Sequence, residues 1–417
     1  MPEIIKKIED KLIPLANDYK PNGSEAKAVV HQWIHAIAFG NSLFGQEKGI
    51  NKEDIIKLLK EENLYTDQKL FTTSILKTIH LVQEVGENIN EFTFIDLFAG
   101  VGGMRQGFER AGGRCVFSSE FEKNAQHTYE ENYGEFPFGD ITQIDPRDIP
   151  SHDILVGGFP CQPFSHAGKK LGIEDTRGTL FHNIATIIQV KKPRAVLLEN
   201  VRGLISHDKG YTLKVVLTTL INEGYHCNIP DEVIKGDDIK KLQTYAKDMV
   251  MKSREFGVPQ NRQRIFIILW RNDLPVLFNY PEPLNTSTYV GQILEDNPDP
   301  KYTISDRLWL GHQNRKVKNQ KEGKGFGYGI VNDETPYTNT ISARYYKDGS
   351  EVLVYQENTN PRKLTPREAA RLQGFPDDFI LNRSNVQAYK QFGNSVTIPV
   401  VYAVAESMRK QIIDPNL

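Results

Sequence analysis

Cysteine is scarce in this sequence, with only Cys115, Cys161 and Cys227 among 417 residues. An odd, sparse set without metal-ligand spacing argues against a disulfide scaffold and a zinc site, and it favours a reducing compartment. No apolar run approaches the roughly 18 residues that a membrane span needs. The N-terminus is amphipathic and of mixed charge, unlike a secretory signal. The formal net charge of −2 does not indicate a polyanionic partner. These absences predict an ordinary cytoplasmic globular protein without a bound metal or a membrane anchor.

The segments of the chain differ in composition and in the spacing of their apolar residues, and these differences predict several domains. Residues 1–91 carry apolar residues at helical spacing and predict a helical extension packed on the main domain, with a DNA-contacting or partner-binding module as the alternative. Over residues 92–270, short apolar runs alternate with helix-like segments, which is typical of βα units and a mostly parallel sheet. Residues 271–360 are rich in proline and asparagine and predict an irregular insertion. Residues 361–417 are predicted to return to the sheet domain, with a helix start at Thr365, Pro366 and Glu368.

A glycine-rich turn follows the first predicted strand. After "TFIDL" comes "FAGVGG", residues 98–103, and a doubly wound sheet binds ligands just beyond such strand ends. Glu120 follows the second strand, twenty positions after Gly100, where a carboxylate can accept hydrogen bonds from the ribose hydroxyls of a nucleoside. Phe121 would stack on an adenine ring, and Asp140 is a candidate for the adenine amino group. The pattern predicts a site for a nucleoside cofactor.

Two other interpretations of this turn stay open at this point. A dinucleotide dehydrogenase would need a third glycine where the chain has Arg105, so the pyrophosphate interpretation is weakened. A ligand with a nucleoside but no phosphates, such as S-adenosylmethionine, fits the pattern better. A purely structural glycine turn is the second alternative.

Three further features carry candidate chemistry. Cys161 lies after "ILVGG" on a loop stiffened by prolines, where it is either a positioned nucleophile or a small buried core residue. Glu199 ends the apolar run "AVLLEN", so poor solvation is expected to raise its pKa and suit it to donate a proton, unless it is a solvated or helix-capping acid. Arg262 and Arg264 alternate in "QNRQR" and would point the same way in an extended segment, unless they form surface ion pairs.

Six segments in order resemble the signature motifs of the DNA cytosine-C5 methyltransferase family, of bacterial or phage type. They are "DLFAGVGG", "GGFPCQPFS", "ENV", "QNRQRIF", "RKLTPREAARLQGFP" and "QFGNSVTIPV". The resemblance covers about residues 92–408 and leaves the N-terminal extension outside. It implies an α/β fold in which a Rossmann-like, S-adenosylmethionine-dependent sheet domain carries a smaller, irregular, β-rich target recognition domain.

The resemblance also implies a reaction and a set of catalytic residues. Cys161 matches the family nucleophile, which adds to C6 of a cytosine flipped out of the duplex. Glu199 matches the glutamate that protonates or hydrogen-bonds N3 of that base. Arg264 matches the arginine that holds the base at O2, and Arg262 is expected to support the site. The implied enzyme is a DNA (cytosine-5-)-methyltransferase that converts S-adenosyl-L-methionine into S-adenosyl-L-homocysteine.

Cofactor and DNA contacts follow from the same resemblance. The implied cofactor residues lie in the glycine-rich turn, at later strand ends and near the end of the chain: Phe98, Ala99, Gly100, Gly102, Gly103, Glu120, Phe121, Asp140, Ile141, Pro160, Asn394, Ser395 and Val396. The implied DNA contacts lie in the loop after Cys161 and in the insertion: Gln162, Ser165, Gly168, Lys169, Arg177, Thr340, Arg344, Tyr345 and Tyr346.

The insertion also contains a basic segment. Residues 301–324 hold seven lysines and arginines against Asp306 and Glu322, a net charge of +5 that suits DNA phosphates, with a solvated charged loop as the alternative. The stretch resembles recognition domains of family members that methylate the inner cytosine of CCGG, CCWGG or CCNGG.

The predicted partners are double-stranded DNA and, unless the methylase is solitary, a cognate restriction endonuclease acting on the same site. The chain is expected to act as a monomer in the cytoplasm of a bacterial or phage-infected cell. A tRNA methyltransferase of the same fold and a catalytically inactive DNA-binding regulator are the alternative functions. The long basic insertion favours DNA over tRNA, and the intact Cys161, Glu199 and Arg264 favour an enzyme.

Overall fold

Two compact units make up the protein. The computed structural model describes residues 2–81, 92–160, 179–284, 286–325 and 327–414. The first unit comprises Met1–Val250, Arg264–Pro281 and Val404–Leu417, and the second comprises Met251–Gln263 and Glu282–Ala403. The chain therefore leaves the first unit twice and returns twice. The domain limits inferred from the sequence, at residues 91, 270 and 360, stay predictions beside this division.

Four helices of the N-terminal extension belong to the first unit: α1 Glu3–Ala16, α2 Ala26–Phe39, α3 Lys52–Glu61 and α4 Gln68–Leu76. Asn51 and Asp67 begin α3 and α4 with side chains that accept from the backbone N–H groups of Asp54 and Leu70. The helix α2 is buried along almost its whole length, and its residues share one hydrophobic core with the sheet that follows. The expectation that the extension packs on the main domain is confirmed.

The first unit is built on a seven-stranded sheet of α/β topology. Its strands are β1 Phe92–Leu97, β2 Gly113–Ser119, β3 Ile154–Gly158, β4 Ala195–Val201, β5 Tyr225–His226 and β7 Gln263–Arg271, with β6 Val250–Lys252 between the last two. Six of them lie in the order β2-β1-β3-β4-β7-β5. The pairs β1–β2, β1–β3 and β3–β4 are parallel, and β7 runs antiparallel to β4. The predicted strands and the mostly parallel sheet are confirmed.

Helices alternate with these strands along the chain: α5 Gly103–Arg110, α6 Lys123–Tyr133, α7 Leu180–Lys191, α8 Tyr211–Asn222, α9 Asp231–Lys235 and α10 Ile239–Tyr245. Near the C-terminus, helix α14 Ile398–Met408 belongs to the first unit from Val404 onward. The alternation gives a doubly wound arrangement, which gathers strand ends at one edge of the sheet. Because β7 is antiparallel, its first residues lie at the edge where β3 and β4 end. Among the described residues, no helix is long and apolar enough to cross a membrane.

The second unit is mainly irregular and helical. It contains α11 Asp306–Glu322, α12 Pro366–Arg371 and α13 Asn385–Asn394, and the short strands β8 Ile330–Val331, β9 Leu353–Val354 and β10 Arg362–Lys363. The prediction of a β-rich recognition domain is therefore wrong for its described part, where each of these strands has two residues. The predicted capping box is confirmed, since Thr365 and Glu368 cap each other's backbone at the start of α12.

Candidate active site

Strand β3 ends directly against Glu199 of strand β4. Gly158 is the register partner of Glu199, and a Cβ atom on Gly158 would lie 3.1 Å from Glu199 Oε2. One position further on, the Asn200 side chain donates from Nδ2 to the Phe159 carbonyl oxygen at 2.8 Å. The pairing of Gly158 with Glu199 and the Asn200 hydrogen bond therefore hold the backbone that precedes Cys161 in the sequence.

The nucleophile candidate itself, Cys161, falls in residues 161–178, outside the described part of the chain. The same holds for five predicted DNA contacts, namely Gln162, Ser165, Gly168, Lys169 and Arg177. Pro160, a predicted cofactor contact, is the last described residue before this segment and is exposed. The roles proposed for all seven residues stay predictions.

Glu199 and Arg264 form an ion pair on one face of the sheet. Arg264 Nε lies 3.0 Å from Glu199 Oε1, and the two residues sit on neighbouring strands, with Arg264 opposite Val201. Glu199 is 9% exposed, so it is not a solvated surface acid. Burial lowers the pKa of the Arg264 guanidinium, and the carboxylate of Glu199 acts in the opposite direction.

Arg262 engages a different set of partners, and three of them, Ile341, Gly393 and Ser395, lie in the second unit. It is 2% exposed, and its guanidinium donates from Nη1 to the Ile341 carbonyl at 3.1 Å and from Nη2 to the carbonyls of Gly393 and Ser395. These bonds join three separate parts of the chain. Arg262 is thus a buried residue that links these segments, rather than half of a surface ion pair. Such contacts suit a residue that supports the structure around the site.

The glycine-rich turn after β1 has an unusual backbone. Phe98, Gly100 and Gly102 all have positive φ, of 59°, 56° and 82°. For a phenylalanine this conformation costs on the order of 1–2 kcal/mol, and such strain is often retained at functional sites. A Cβ at Gly102 would collide with the Tyr133 ring, whereas a Cβ at Gly100 would meet no atom of the described residues within 4 Å. Gly102 is therefore needed for packing, and Gly100 leaves backbone open to a ligand.

Glu120 joins this turn to the end of β2. Its Oε2 accepts from the Gly100 N–H and its Oε1 from the Glu122 N–H, both at 2.7 Å. Burial raises the pKa of Glu120, while these backbone hydrogen bonds oppose the rise. Each carboxylate oxygen has a second lone pair, so the group can still accept from ribose hydroxyls. Beside it, the Phe121 ring is 78% exposed, which suits a flat ring that stacks on a ligand.

The remaining predicted cofactor residues fall in three places. Ala99 and Gly103 are buried in the turn and at the start of α5. Phe138 pairs with Ser119 at the end of β2, and Asp140 lies two residues further along the chain. The Asp140 Oδ1 accepts from the Thr142 N–H at 2.9 Å, and Ile141 between these two residues is buried. Asn394, Ser395 and Val396 lie in the second unit. The structure thus brings the turn, Glu120 and Asp140 to one edge of the sheet, and closure by residues 394–396 stays a prediction.

Arg105 shows which class of nucleoside ligand fits this edge. It is 4% exposed, and its guanidinium lies 2.8 Å from Glu109 and 3.0 Å from Glu135. The arginine that replaces the third glycine is thus turned into the interior and paired there, instead of meeting a pyrophosphate. An open backbone, a carboxylate and an exposed aromatic ring suit a nucleoside without phosphates, as in S-adenosylmethionine.

One predicted DNA contact is corrected by the structure. Tyr345 is fully buried, and its hydroxyl donates to the Val352 carbonyl at 2.6 Å and accepts from the Leu364 N–H at 2.8 Å. It is a core residue, and the prediction that it contacts DNA is wrong. Its neighbours differ, since Arg344 is exposed and Tyr346 is half-buried. Thr340 donates from Oγ1 to the Asn261 carbonyl at 2.9 Å.

The basic segment of the insertion is helix α11, which sequence reasoning missed. Ser305 accepts from the Leu308 N–H at its start, and Gly323 ends it with a positive φ of 63°. Its charges divide into two groups. Arg315 pairs with Asp348 at 2.9 Å and Lys316 lies over the Tyr328 ring, whereas the exposed cations are Arg307, Lys318, Lys321 and, just beyond the helix, Lys324. The segment is a helix with a solvated basic face, not a charged loop.

The α/β sheet, with carboxylates and a glycine-rich turn at its strand ends, is an architecture typical of enzymes that bind a nucleoside cofactor. The family model described as "C-5 cytosine-specific DNA methylase" matches residues 92–410. The chain therefore belongs to the C-5 cytosine-specific DNA methylase family.

Relatives agree with this placement. The chain is 56% identical over 321 residues to Type II methyltransferase M.NlaX of Neisseria lactamica, covering 76% of this chain and 96% of that protein. It is 50% identical over 367 residues to M1.ScrFI of Lactococcus lactis subsp. cremoris, covering 86% and 89%. It is 35% identical over 427 residues to M.MspI of Moraxella sp, covering 98% and 94%. Among solved structures, the S. pombe Dnmt2 methyltransferase shares the fold, with a TM-score of 0.59 and 19% identity over 76% of this chain and 98% of that one.

The activity follows from the family. The protein is a DNA (cytosine-5-)-methyltransferase that uses S-adenosyl-L-methionine, and its relatives are Type II methyltransferases. The family description names both cytosine C5 and DNA, which the dehydrogenase and tRNA interpretations do not share. An inactive regulator is likewise set aside.

Proposed function

We propose that this enzyme methylates the inner cytosine of a short CCGG- or CCNGG-like site in double-stranded DNA, with Cys161, Glu199 and Arg264 as its catalytic residues. The observation that carries the proposal is the meeting of three neighbouring strands. The end of β3, which leads into Cys161, lies against Glu199 of β4, and Glu199 pairs with Arg264 of β7. One flipped base at this edge would be within reach of groups from all three.

The chemistry assigns each residue one bond. The Cys161 thiolate adds to C6 of the cytosine, which makes C5 a carbon nucleophile. Glu199 supplies a proton or hydrogen bond to N3, where negative charge would otherwise collect. S-adenosyl-L-methionine supplies the methyl group and leaves as S-adenosyl-L-homocysteine. A solvent water or hydroxide then takes the C5 proton, the electrons of the C5–H bond re-form the C5–C6 double bond, and Cys161 leaves C6 as a thiolate. N3 returns to Glu199 the proton that it received.

Arg264 would hold the base and Glu199 together. Its Nε lies 3.0 Å from Glu199 Oε1, so this contact restrains one oxygen of the carboxylate. A guanidinium has further N–H groups, and one of them can donate to O2 of the base. A fixed acid and a fixed cation satisfy the positioning requirement of the reaction, because a small displacement of a reacting group lowers the rate strongly.

The cofactor is proposed to bind at the edge formed by the turn and the ends of β1 and β2. Glu120 would accept from the ribose hydroxyls, Phe121 would stack on the adenine, and Asp140 would accept from the adenine amino group. Asn394, Ser395 and Val396 stay proposed cofactor contacts, and the bonds of Arg262 to the Gly393 and Ser395 carbonyls would hold the backbone of their segment.

DNA is proposed to lie against the second unit, with the exposed face of α11 on phosphates. Arg344 and Tyr346 are the described candidates for groove contacts. A cognate restriction endonuclease acting on the same site, a monomeric enzyme and a cytoplasmic location complete the proposal.

Charge removal from α11 tests the phosphate contacts. The double variant Lys318→Ala/Lys321→Ala should weaken binding to all DNA sequences alike, and it should reduce the slope of log K against log salt by about 0.9 for each lost phosphate contact. Fluorescence anisotropy at several salt concentrations measures both quantities. Lys57→Ala removes an exposed charge from α3 and serves as the control. An unchanged salt slope in the double variant would exclude α11 from the interface.

The proposed target is tested by bisulfite sequencing of plasmid DNA from cells that express the chain, beside an empty-vector control. We expect protected cytosines confined to the inner position of one short CCGG- or CCNGG-like motif. Protection at an unrelated motif would overturn the proposed target but leave the activity in place. With soluble protein and no protection, a covalent-trapping assay on 5-fluorocytosine DNA would decide whether Cys161 reacts at all.

A further inference from the structure

The N-terminal extension contacts the backbone beside the cofactor edge. Between α1 and α2 the chain turns at Gly23, which has a φ of 74°, and the next residue, Ser24, is 8% exposed. The Ser24 Oγ accepts a hydrogen bond from the N–H of Gly139 at 2.9 Å. Gly139 directly precedes Asp140, so this bond holds the residue next to a proposed cofactor ligand.

The contact is tightly fitted on both sides. A Cβ at Gly139 would collide with the Gly23 carbonyl oxygen, and a Cβ at Gly23 would lie 3.4 Å from the Asp140 Cβ. One residue earlier, the Phe138 ring packs on Phe44 of the extension at a centroid distance of 4.4 Å. Backbone, hydrogen bond and ring therefore seat the segment 138–140 against the extension.

The same segment is tied to the other proposed cofactor residues. The Phe138 N–H donates to the Ser118 carbonyl at 2.9 Å, and the Glu120 N–H donates to the Phe138 carbonyl at 2.8 Å. Glu120 in turn accepts from the Gly100 N–H of the glycine-rich turn. A continuous series of hydrogen bonds thus runs from Ser24 to the turn, and every residue in it belongs to the first unit.

We propose that Ser24 is a positioning residue for the cofactor site, acting through Gly139 on Asp140. The inference rests on the proposed function, which assigns Asp140 to the adenine. It concerns a part of the chain that the family model does not cover, since that match begins at residue 92. In this enzyme the helical extension is then part of the cofactor site's framework.

The expected consequence is a loss of cofactor affinity. Ser24→Ala leaves the buried Gly139 N–H without its acceptor, and an unsatisfied buried donor is costly. The segment 138–140 would relax, and the contact of Asp140 with the adenine would be lost part of the time. Such a contact is the same in the ground state and in the transition state, so the KM for the cofactor should rise while kcat changes little.

Direct binding to the full-length protein measures this without turnover. Isothermal titration calorimetry with S-adenosyl-L-homocysteine should give a Kd for Ser24→Ala that is about threefold to tenfold above wild type. Ser24→Thr keeps the accepting oxygen and should stay within about twofold of wild type. In methyl-transfer assays, the KM for S-adenosyl-L-methionine should rise by the same factor as the Kd, with kcat within about twofold of wild type.

Two further variants separate the possible outcomes. Thr72→Val removes another hydroxyl of the extension, one that donates to the Ala38 carbonyl at 2.7 Å, and it should lower Tm without changing the Kd. Equal loss of affinity in Ser24→Ala and Thr72→Val, or wild-type affinity in Ser24→Ala, would overturn the role of Ser24. Asp140→Ala must itself weaken binding. If it does not, the proposed cofactor assignment fails, whatever Ser24→Ala shows.

Discussion

Cys161→Ser is expected to abolish methyl transfer while leaving DNA binding largely intact. A serine hydroxyl at neutral pH is protonated and a far weaker nucleophile than a thiolate, so addition to C6 should not occur at a measurable rate. The serine retains the size and polarity of the position, so the loop and the DNA surface should be preserved. Transfer of a labelled methyl group to plasmid DNA measures the first effect, and a gel-shift titration measures the second.

The other two cysteines provide matched controls. Cys115 and Cys227 are free and buried in the first unit. Burial raises the pKa of the Cys227 thiol to about 12 and that of Cys115 well above its ordinary value, so neither forms a thiolate at neutral pH. Cys227→Ser should therefore lower stability and leave turnover of the folded enzyme unchanged. Turnover near the wild-type rate in Cys161→Ser would remove this thiol from the mechanism.

Glu199→Gln should slow methyl transfer by about 10²-fold or more, the usual effect of a positioned acid or base. Glutamine has nearly the same shape, and its amide oxygen can still accept from Arg264. Its amide N–H can donate a hydrogen bond to N3, but it is far too weak an acid to transfer a proton. The loss should appear in the single-turnover rate, while the Kd for DNA changes little. Rapid quenching with labelled S-adenosyl-L-methionine measures the rate.

A second carboxylate shows whether any such loss is specific. Glu406 forms an ion pair with Arg409 at 3.0 Å, and Glu406→Gln should leave the single-turnover rate within about twofold of wild type. A rate for Glu199→Gln within threefold of wild type would mean that N3 is protonated from elsewhere, and Glu199 would then be a structural partner of Arg264.

The elements closest to the chemistry could be predicted from local pattern alone. Continuous apolar runs gave the strands β1 to β4, and glycine and carboxylate positions at their ends pointed to the cofactor edge. Arg262 and Arg264 show the limit of prediction from local pattern. Residues at alternate positions share a face only within a strand, and β7 begins at Gln263, so Arg262 lies outside it and joins other partners.

The helix α11 and Tyr345 show two other limits. His312 is the buried residue of α11, so the helix has almost no apolar stripe to reveal it, and only its cap residues Ser305 and Gly323 marked its ends. Tyr345 lies between Arg344 and Tyr346, whose side chains end in polar groups. No feature of the neighbouring sequence shows that the Tyr345 hydroxyl bonds to the backbone of Val352 and Leu364. Long-range pairing of this kind, like that of Ser24 with Gly139, depends on tertiary structure.

The divided first unit has a consequence for how the protein is made on the ribosome. Strand β4 emerges about sixty residues before its neighbour β7, and at ~5–20 residues per second that delay lasts roughly 3–12 s. During this interval the Ala195–Val201 strand is an unpaired apolar edge, which is the kind of surface that draws nascent chains into aggregates. The Arg194 side chain donates to the carbonyls of Ile412 and Ile413, and these two residues are synthesised later still. Yield in a foreign host should therefore depend on translation speed and on chaperones that cover this edge.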